Sequence, residues 1–260
     1  MTILAGFRDD RTFLKDSFFR QPFKVANVTE NKTSEILELM LMTSSPGVLD
    51  NDRYVLKVEV EAGGTLELKT QSYQRLFLMN KGASQEIKVF VNEHSSFIMV
   101  AHPSVPHKGS NFLGRNIIYG KPTSTIVWGE IFTCGRKLNS EYFEFDFYQS
   151  ITEIFIADNL VVRENLLLIP DKQKTNSMGQ FRDYSHLASF ILIDNKLDVE
   201  KIILVITEKL ACAQDIEFGI TKLSINGIIL KILGNKGEQL FNILNGLKLD
   251  FKTELIGNVT

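Results

Sequence analysis

The chain reads as a mainly β protein: a scaffold of stacked β-strands wound in a helix-like course, followed by a small C-terminal α+β lobe containing two helices. Three observations predict this. Short segments of period-two hydrophobicity follow one another from about Phe18 to Pro170, as in many-stranded β architectures. Between Tyr54 and Arg136 one unit recurs three times: strand, polar turn, strand, polar cassette. Its matching residues Leu66, Phe97 and Ile126 lie 31 and 29 positions apart, and a period near thirty marks supersecondary units that bury their apolar faces on one another. After Pro170 the texture changes, and helix-period patterns flank a hairpin signal. The expected units are residues 1–170 for the stacked β scaffold, 171–183 for a polar, mobile connection, and 184–260 for the lobe packed on it.

The elements follow in order. Glu35 to Met42 is a nearly continuous apolar run closed by Thr43-Ser44-Ser45-Pro46-Gly47, which predicts a buried strand ended by a turn. The first repeat pairs Leu56–Val60 with Leu66–Leu68 and ends in Thr70-Gln71-Ser72-Tyr73-Gln74-Arg75. The second pairs Ile87–Val91 with Phe97–Met99 and ends in His102-Pro103-Ser104-Val105-Pro106-His107. The third pairs Ile117–Tyr119 with Ile126–Trp128 and ends in Glu130 to Arg136. Phe143, Phe145 and Phe147 alternate with polar residues, predicting three rings on one face of one strand. Ile154 to Ile156 and Leu160 to Val162 predict a hairpin turning at Asp158-Asn159. Beyond the connection, Ala188 to Ile193 is strand-like, and Asp198 is the expected N-cap of a helix with Val199, Ile202, Ile203, Ile206 and Leu210 on its apolar face. Ile220–Ile225 and Ile228–Leu233 flank Asn226-Gly227, the signal for a type I′ hairpin. A last helix from Glu238 to Leu247 would bury Leu240, Phe241, Leu244 and Leu247.

Composition limits the function classes. A formal charge of −2 and no long basic run argue against a nucleic-acid binder. No stretch approaches the ~18 uninterrupted apolar residues of a membrane span, and Met1 to Phe13 carries Arg8, Asp9, Asp10 and Arg11 where a signal peptide needs an apolar core. Two cysteines, Cys134 and Cys212, cannot build a disulfide framework and suit a reducing compartment. The expectation is a soluble, cytoplasmic protein.

Enzyme signatures are missing from the sequence: it has no Walker loop, no Gly-x-Gly-x-x-Gly after a strand and no Gly-x-Ser-x-Gly elbow. Cys134 has no partner His at a family-specific spacing, so a structural thiol is the expectation. His102 and His107, five apart with Pro103 and Pro106 between them, are the metal candidates; they reach one ion only if the loop folds back, and hydrogen-bonded surface histidines are the alternative. His94 and His186 read as solvent-exposed. The acidic candidates are Asp50, Asp52, Glu130 and Glu141. Glu130 interrupts an apolar stretch and must be paired, hydrated or functional, with Arg136 as the available partner; both an ion pair and a functional carboxylate stay open. Arg53, Arg75, Arg115 and Arg136 read as surface partners of nearby carboxylates.

Taken in order, the cassettes select a family. They are Pro22-Phe23-Lys24; Ser45-Pro46-Gly47 with Asp52-Arg53; Thr70 to Arg75; His102-Pro103 through Pro106-His107 to Asn111-Phe112; Trp128-Gly129-Glu130; Cys134-Gly135-Arg136-Lys137-Leu138-Asn139; Glu141 with Phe143; and Arg163-Glu164-Asn165. Over about residues 18–170 this series resembles the urease accessory protein family UreD, called UreH in some bacteria. The resemblance implies a non-catalytic, cytoplasmic scaffold of urease maturation that binds the urease apoprotein, UreF and, through it, the GTPase UreG. It also implies a passage that supports nickel delivery, with transient Ni²⁺ and no tightly bound cofactor or tight metal site. On it, Asp52, Glu130 and Glu141, with His102, His107 and Arg136, are candidates for the route or for partner contact. Thr70, Gln71, Ser72, Tyr73, Arg75, Trp128 and Gly135 belong to the identifying cassettes. Asn51 and Ser140 stand where the family usually has Gly, so both turns must accept a side chain.

Two other classes compete with the scaffold. One is a nickel-storing metallochaperone using His102, His107 and a carboxylate. The other is a β-helical hydrolase or lyase using Glu130, Asp52 and Arg136, although a fold alone does not indicate function.

Overall fold

The structure, a computed structural model, describes residues 1–31 and 34–257, with 253–257 described by their backbone alone; the last residues of the predicted lobe, 258–260, lie outside the described residues. Strands β1 (Thr2–Arg8) and β2 (Arg11–Phe18) form an N-terminal hairpin, for which the sequence carried no strand assignment, and β3 (Phe23–Asn27) pairs antiparallel with β4 (Ile36–Thr43). The repeats supply β5 (Arg53–Val60), β6 (Thr65–Thr70) and β7 (Gln74–Leu76), then β8 (Ala83–Val91), β9 (Ser96–Val100) and β10 (Ser104–Pro106), then β11 (Asn111–Gly120) and β12 (Thr125–Thr133). After them come β13 (Phe147–Ile156), β14 (Asn159–Leu168), β15 (His186–Ile193), helix α1 (Val199–Ala211), β16 (Ile216–Lys222), β17 (Gly227–Gly234) and helix α2 (Gly237–Gly257).

The repeat winds as a solenoid. Each turn lays one strand in a first sheet, ordered β14-β13-β11-β8-β5-β1-β2, and the next in a second, ordered β16-β17-β15-β12-β9-β6-β4-β3. The inner strands of both sheets run parallel, since each turn enters in the same direction as the last. Leu66, Phe97 and Ile126, matched by spacing alone, are direct ladder neighbours and fully buried. Facing them across the core, Val58, Val89, Ile118, Ile154 and Val162 form a second continuous row. The short β7 and β10 pair with each other along the cassettes, making a narrow third side.

The C-terminal elements continue the second sheet: β15 pairs with β12 over its whole length, and β17 pairs with β15. Both helices cover the outer face of that sheet. Leu240, Leu244 and Leu247 of α2 and Ile206 and Leu210 of α1 are buried against Ile98, Val127, Phe190 and Leu230. Gly129 lets α2 approach, for a Cβ there would sit 3.3 Å from Leu244 Cδ1. The Asp198 cap is as expected, accepting from the Lys201 N–H at 3.1 Å.

Several local expectations are corrected. The second hairpin turns over residues 223–226, with Leu223 N–H bonded to Gly227 O at 2.9 Å. Gly227 lies inside β17, opposite Ile193, and a Cβ there would meet Leu192 O at 2.6 Å; the glycine serves strand approach rather than a type I′ turn. The two positive φ angles fall instead at Ala157 (47°) and Asp158 (65°), which turn β13 into β14. Phe143 and Phe145 lie ahead of β13, not on one strand with Phe147: Phe143 takes φ 53°, and its ring and that of Phe145 join Phe132, Tyr148 and Phe181 in an aromatic cluster. The segment after Pro170 sends Phe181, 3% exposed, into that same cluster. Asn51 (φ 67°) and Ser140 (φ 62°) both occupy the left-handed region that a glycine would fill without a steric cost.

Helix α2 runs well past Leu247, because its second half is held by charge. Glu67, 2% exposed, accepts from Lys248 Nζ at 2.8 Å and Lys252 Nζ at 2.7 Å; Lys252 also reaches Glu38, which accepts from Lys69 at 2.6 Å. Burial alone would raise the Glu67 pKa, but Lys248 and Lys252 outweigh it and hold the carboxyl below its ordinary 4.5. Its contribution is therefore complete above about pH 4.5 and is lost as pH falls through the lowered value.

Glu67→Gln should leave Lys248 without its carboxylate and Lys252 with Glu38 alone, and destabilise the protein by about 3 kcal/mol, as read by urea unfolding. The deficit should shrink as both proteins are brought below pH 4.5, where the wild type also loses the charge. Gly227→Ala should lower stability by about 2 kcal/mol through the clash with the β15 backbone; an unchanged melting temperature would contradict this packing.

Candidate functional site

The strand registers build the site. On the inner face of the first sheet, Asn116, Thr152 and Glu164 are ladder neighbours in one row. Opposite, on the second sheet, Glu130, Ser189 and Lys231 form another. Above this level lie Ile118, Ile154 and Val162 facing Trp128 and Ile191; below it lie Leu166, Phe132 and Leu187. One polar level thus runs along the solenoid axis between apolar levels. It lies on a cavity of about 420 Å³ whose lining passes from Lys231 of β17, through Ser189, Glu130, Met99 and Leu41, to Phe23 of β3.

Glu130 is the centre of this level. Its Oε1 accepts from Asn116 Nδ2 (3.0 Å) and Ser150 Oγ (2.9 Å), and its Oε2 from Trp128 Nε1 (2.9 Å) and Thr152 Oγ1 (2.6 Å). All four donors are neutral. The carboxylate is solvated by the protein, and its charge is answered by no cation in these contacts. Burial and the Glu130 charge together push the neighbouring Tyr148 phenol upward, so it stays protonated. The expected partner Arg136 is elsewhere. Gly135, at φ 130°, turns the chain after β12, and Arg136 makes a two-pronged pair with Glu141, Nε to Oε2 at 2.8 Å. That pair holds the Glu141 carboxyl below its usual range.

The cassette Thr70–Arg75 forms the opposite mouth of the cavity. Gln71 and Ser72 are exposed there, and Arg75 is exposed outside the cavity lining. Thr70 Oγ1 accepts from the His102 N–H at 2.9 Å and lies 2.8 Å from His102 Nδ1, so the imidazole nitrogen facing it is occupied. The His102 ring stacks on Phe241 at 4.0 Å, and Tyr73 OH donates to Glu238 at 3.1 Å, which ties the mouth to α2. Burial pushes the His102 pKa down despite Glu238.

His107 sits apart from this cluster. It packs edge-on against Phe77 at 4.8 Å, is 6% exposed, and its Nε2 has no hydrogen-bond partner. Burial, then Arg136, lowers its pKa. The two histidines therefore have separate surroundings and do not converge as a pair. Asp52 accepts from Leu49 N–H (2.8 Å) and Tyr54 OH (2.6 Å) and orders the turn before β5. His186, expected at the surface, is 6% exposed at the start of β15. Its Nδ1 lies 2.8 Å from Ser185 Oγ, and burial followed by Lys137 pushes its pKa down to about 4. Cys134 is fully buried, and burial raises its thiol pKa. Among the described residues no group of three or more His, Cys, Asp or Glu side chains is placed to hold a metal ion.

Sequence reasoning found Glu130 and missed its company. Ser189 and Lys231 are single polar residues in apolar runs, Asn116, Ser150 and Thr152 sit among other polar residues of their strands, and Glu164 entered only within a motif. The signal was there: Asn116 precedes Ile117-Ile118, and Ser189 interrupts Ala188–Ile193 at an inward position. Only the register joins them.

Comparison with known proteins agrees with this architecture's sequence markers. The family described as "UreD urease accessory protein" matches residues 2–258. A urease accessory protein UreD of Flavobacterium johnsoniae is 42% identical over 243 residues, covering 93% of this chain and 88% of the relative. One from Acetivibrio thermocellus is 30% identical, covering 93% and 92%, and one from Haemophilus influenzae is 29% identical, covering 88% and 89%. The chain belongs to the UreD family of urease accessory proteins.

Proposed function

We propose that this protein is a non-catalytic scaffold of urease maturation, which binds apo-urease together with UreF and UreG and conducts Ni²⁺ through its interior toward the urease active site. The observation that carries the reading is Glu130: a carboxylate facing a cavity that runs from β17 to β3, solvated by four neutral donors and paired with no cation in them. A fixed negative charge of this kind lowers the energy of a passing cation. With its four acceptor directions already used, it offers no tight coordination, and a conduit must release what it admits. Asp52 and Glu141 are less available, since one orders a turn and the other is neutralised by Arg136. They and Arg136 fit better as supports of the cassette surfaces that a partner would meet. Localisation in the cytoplasm belongs to this reading; no described helix is long and apolar enough to cross a membrane.

Nickel storage by His102 and His107 draws less support. Thr70 occupies one imidazole, the other is packed against Phe77, and the two have no shared neighbour in these contacts. A hydrolase or lyase built on Glu130, Asp52 and Arg136 would need them together, and their partners lie in three different places.

Glu130→Gln keeps the shape of the site and removes its charge. Co-expressed with urease, UreF and UreG at limiting nickel, the variant should lower urease activation at least about fivefold while it still folds and co-purifies with UreF; its melting temperature should fall modestly, because the new amide N–H meets donors where the carboxylate accepted. Full activation by Glu130→Gln at limiting nickel would sink the conduit. Glu130→Ala should in addition destabilise the fold by about 3 kcal/mol, because it orphans several buried donors.

A further inference from the structure

The two ends of the cavity differ in charge. Toward β3 and β4 it is lined by Phe23, Met42, Thr43, Ser45 and Gln71, with Tyr54, Tyr73 and His102 beside them and no carboxylate, whereas toward β14 and β17, next to Arg163, it meets Glu164 and Lys231. These two come from different sheets. Their bridge, Lys231 Nζ to Glu164 Oε2 at 2.6 Å, therefore crosses the gap between the sheets at the end of the polar level. Ser189 Oγ donates to the same oxygen at 2.6 Å. The neighbouring Arg163 is directed at Glu153, 3.5 Å away, so the ammonium of Lys231 is the cation that answers Glu164.

A protonated lysine repels a metal ion and occupies the carboxylate that such an ion would use. The side chains are 18% exposed for Glu164 and 41% for Lys231. The bridge is thus wet on one side and weakly held, and the flexible lysine stem permits the ammonium to swing into solvent without moving the backbone. Glu130, two strands inward on the same row as Lys231, supplies a second negative charge to draw a cation onward.

From this geometry we propose that Lys231 is a tethered counter-cation that closes the β17 end of the cavity, holding Glu164 until an incoming divalent cation displaces it. The inference rests on reading the cavity as a cation passage, and it makes Lys231 a gating residue with Glu164 as the oxygen ligand it guards.

Equilibrium dialysis of the full chain with Ni²⁺ alone tests it, using the wild type, Lys231→Met, Lys231→Arg and the double variant Lys231→Met/Glu164→Gln, each checked by thermal unfolding. Lys231→Met should bind Ni²⁺ about tenfold more tightly than the wild type, because a second carboxylate charge is freed. Lys231→Arg, which keeps the cation, should match the wild type, and the double variant should return to it. Should Lys231→Met fail to fold, Lys231→Gln keeps a donor to Glu164 without the charge and carries the same expectation. Equal affinity for wild type and the neutral variant overturns the gate, and so does tightening that survives Glu164→Gln. Failure of the delivery reading would show separately, as normal urease activation by Glu130→Gln, and would leave these binding results standing as a statement about cation access.

Discussion

The parallel in-register ladder is the constraint on which everything else in this molecule depends. Because each turn of the solenoid places its residues directly over those of the turn before, side chains of like character accumulate in rows: Leu66 on Phe97 on Ile126 in one sheet, Val58 on Val89 on Ile118 in the other. Stacking of this kind makes a continuous apolar core out of strands that could not bury their faces singly. It has a second result. A polar residue admitted at one inward position is expensive alone, so the level that contains Glu130 is polar over three strands of each sheet before it turns apolar at Ile87 and Leu56, with Asn116 and Thr152 in place to satisfy Glu130 and Ser189 to satisfy Glu164.

Much of the fold was legible in the sequence for that reason. The thirty-residue spacing identified true ladder neighbours, the apolar run became β4, and Asp198 caps α1 where an Asx side chain before an amphipathic run should. Where the reading went astray, tertiary contact had overridden a local signal. Asn226-Gly227 is the strongest two-residue turn signal in the chain, yet Gly227 is needed inside β17 because the β15 backbone lies against it. Phe143, Phe145 and Phe147 alternate like a strand, yet the first two leave the ladder to fill the aromatic end of the core. α2 was cut short at Leu247 because Lys248 and Lys252 look like solvent-facing residues until Glu38 and Glu67 are known to lie beneath them.

The candidate site was legible in part, and for a different reason. Glu130 stood out because a carboxylate in an apolar stretch demands an explanation. Its partners did not, since hydroxyls and amides are common in strands and only a three-dimensional register gathers Asn116, Ser150 and Thr152 around one carboxylate. Pairing Glu130 with Arg136 failed because Gly135 redirects the chain between them. His102 and His107 were tied by spacing and parted by β10, which sends one toward α2 and the other against Phe77.

The contact between the Thr70 cassette and α2 has a mechanical consequence. Phe241 stacks on His102, whose ring and backbone both hold Thr70, and Glu238 holds Tyr73. The rim of the cavity and the first turns of α2 are therefore one lever. Its far arm rests on the charged seat of Glu67, and its near arm on the apolar seat of Leu240 and Leu244. A force that tilts this helix must reshape the opening, and a cation or protein that reshapes the opening must work against the seating of the helix, by the same amount in either direction.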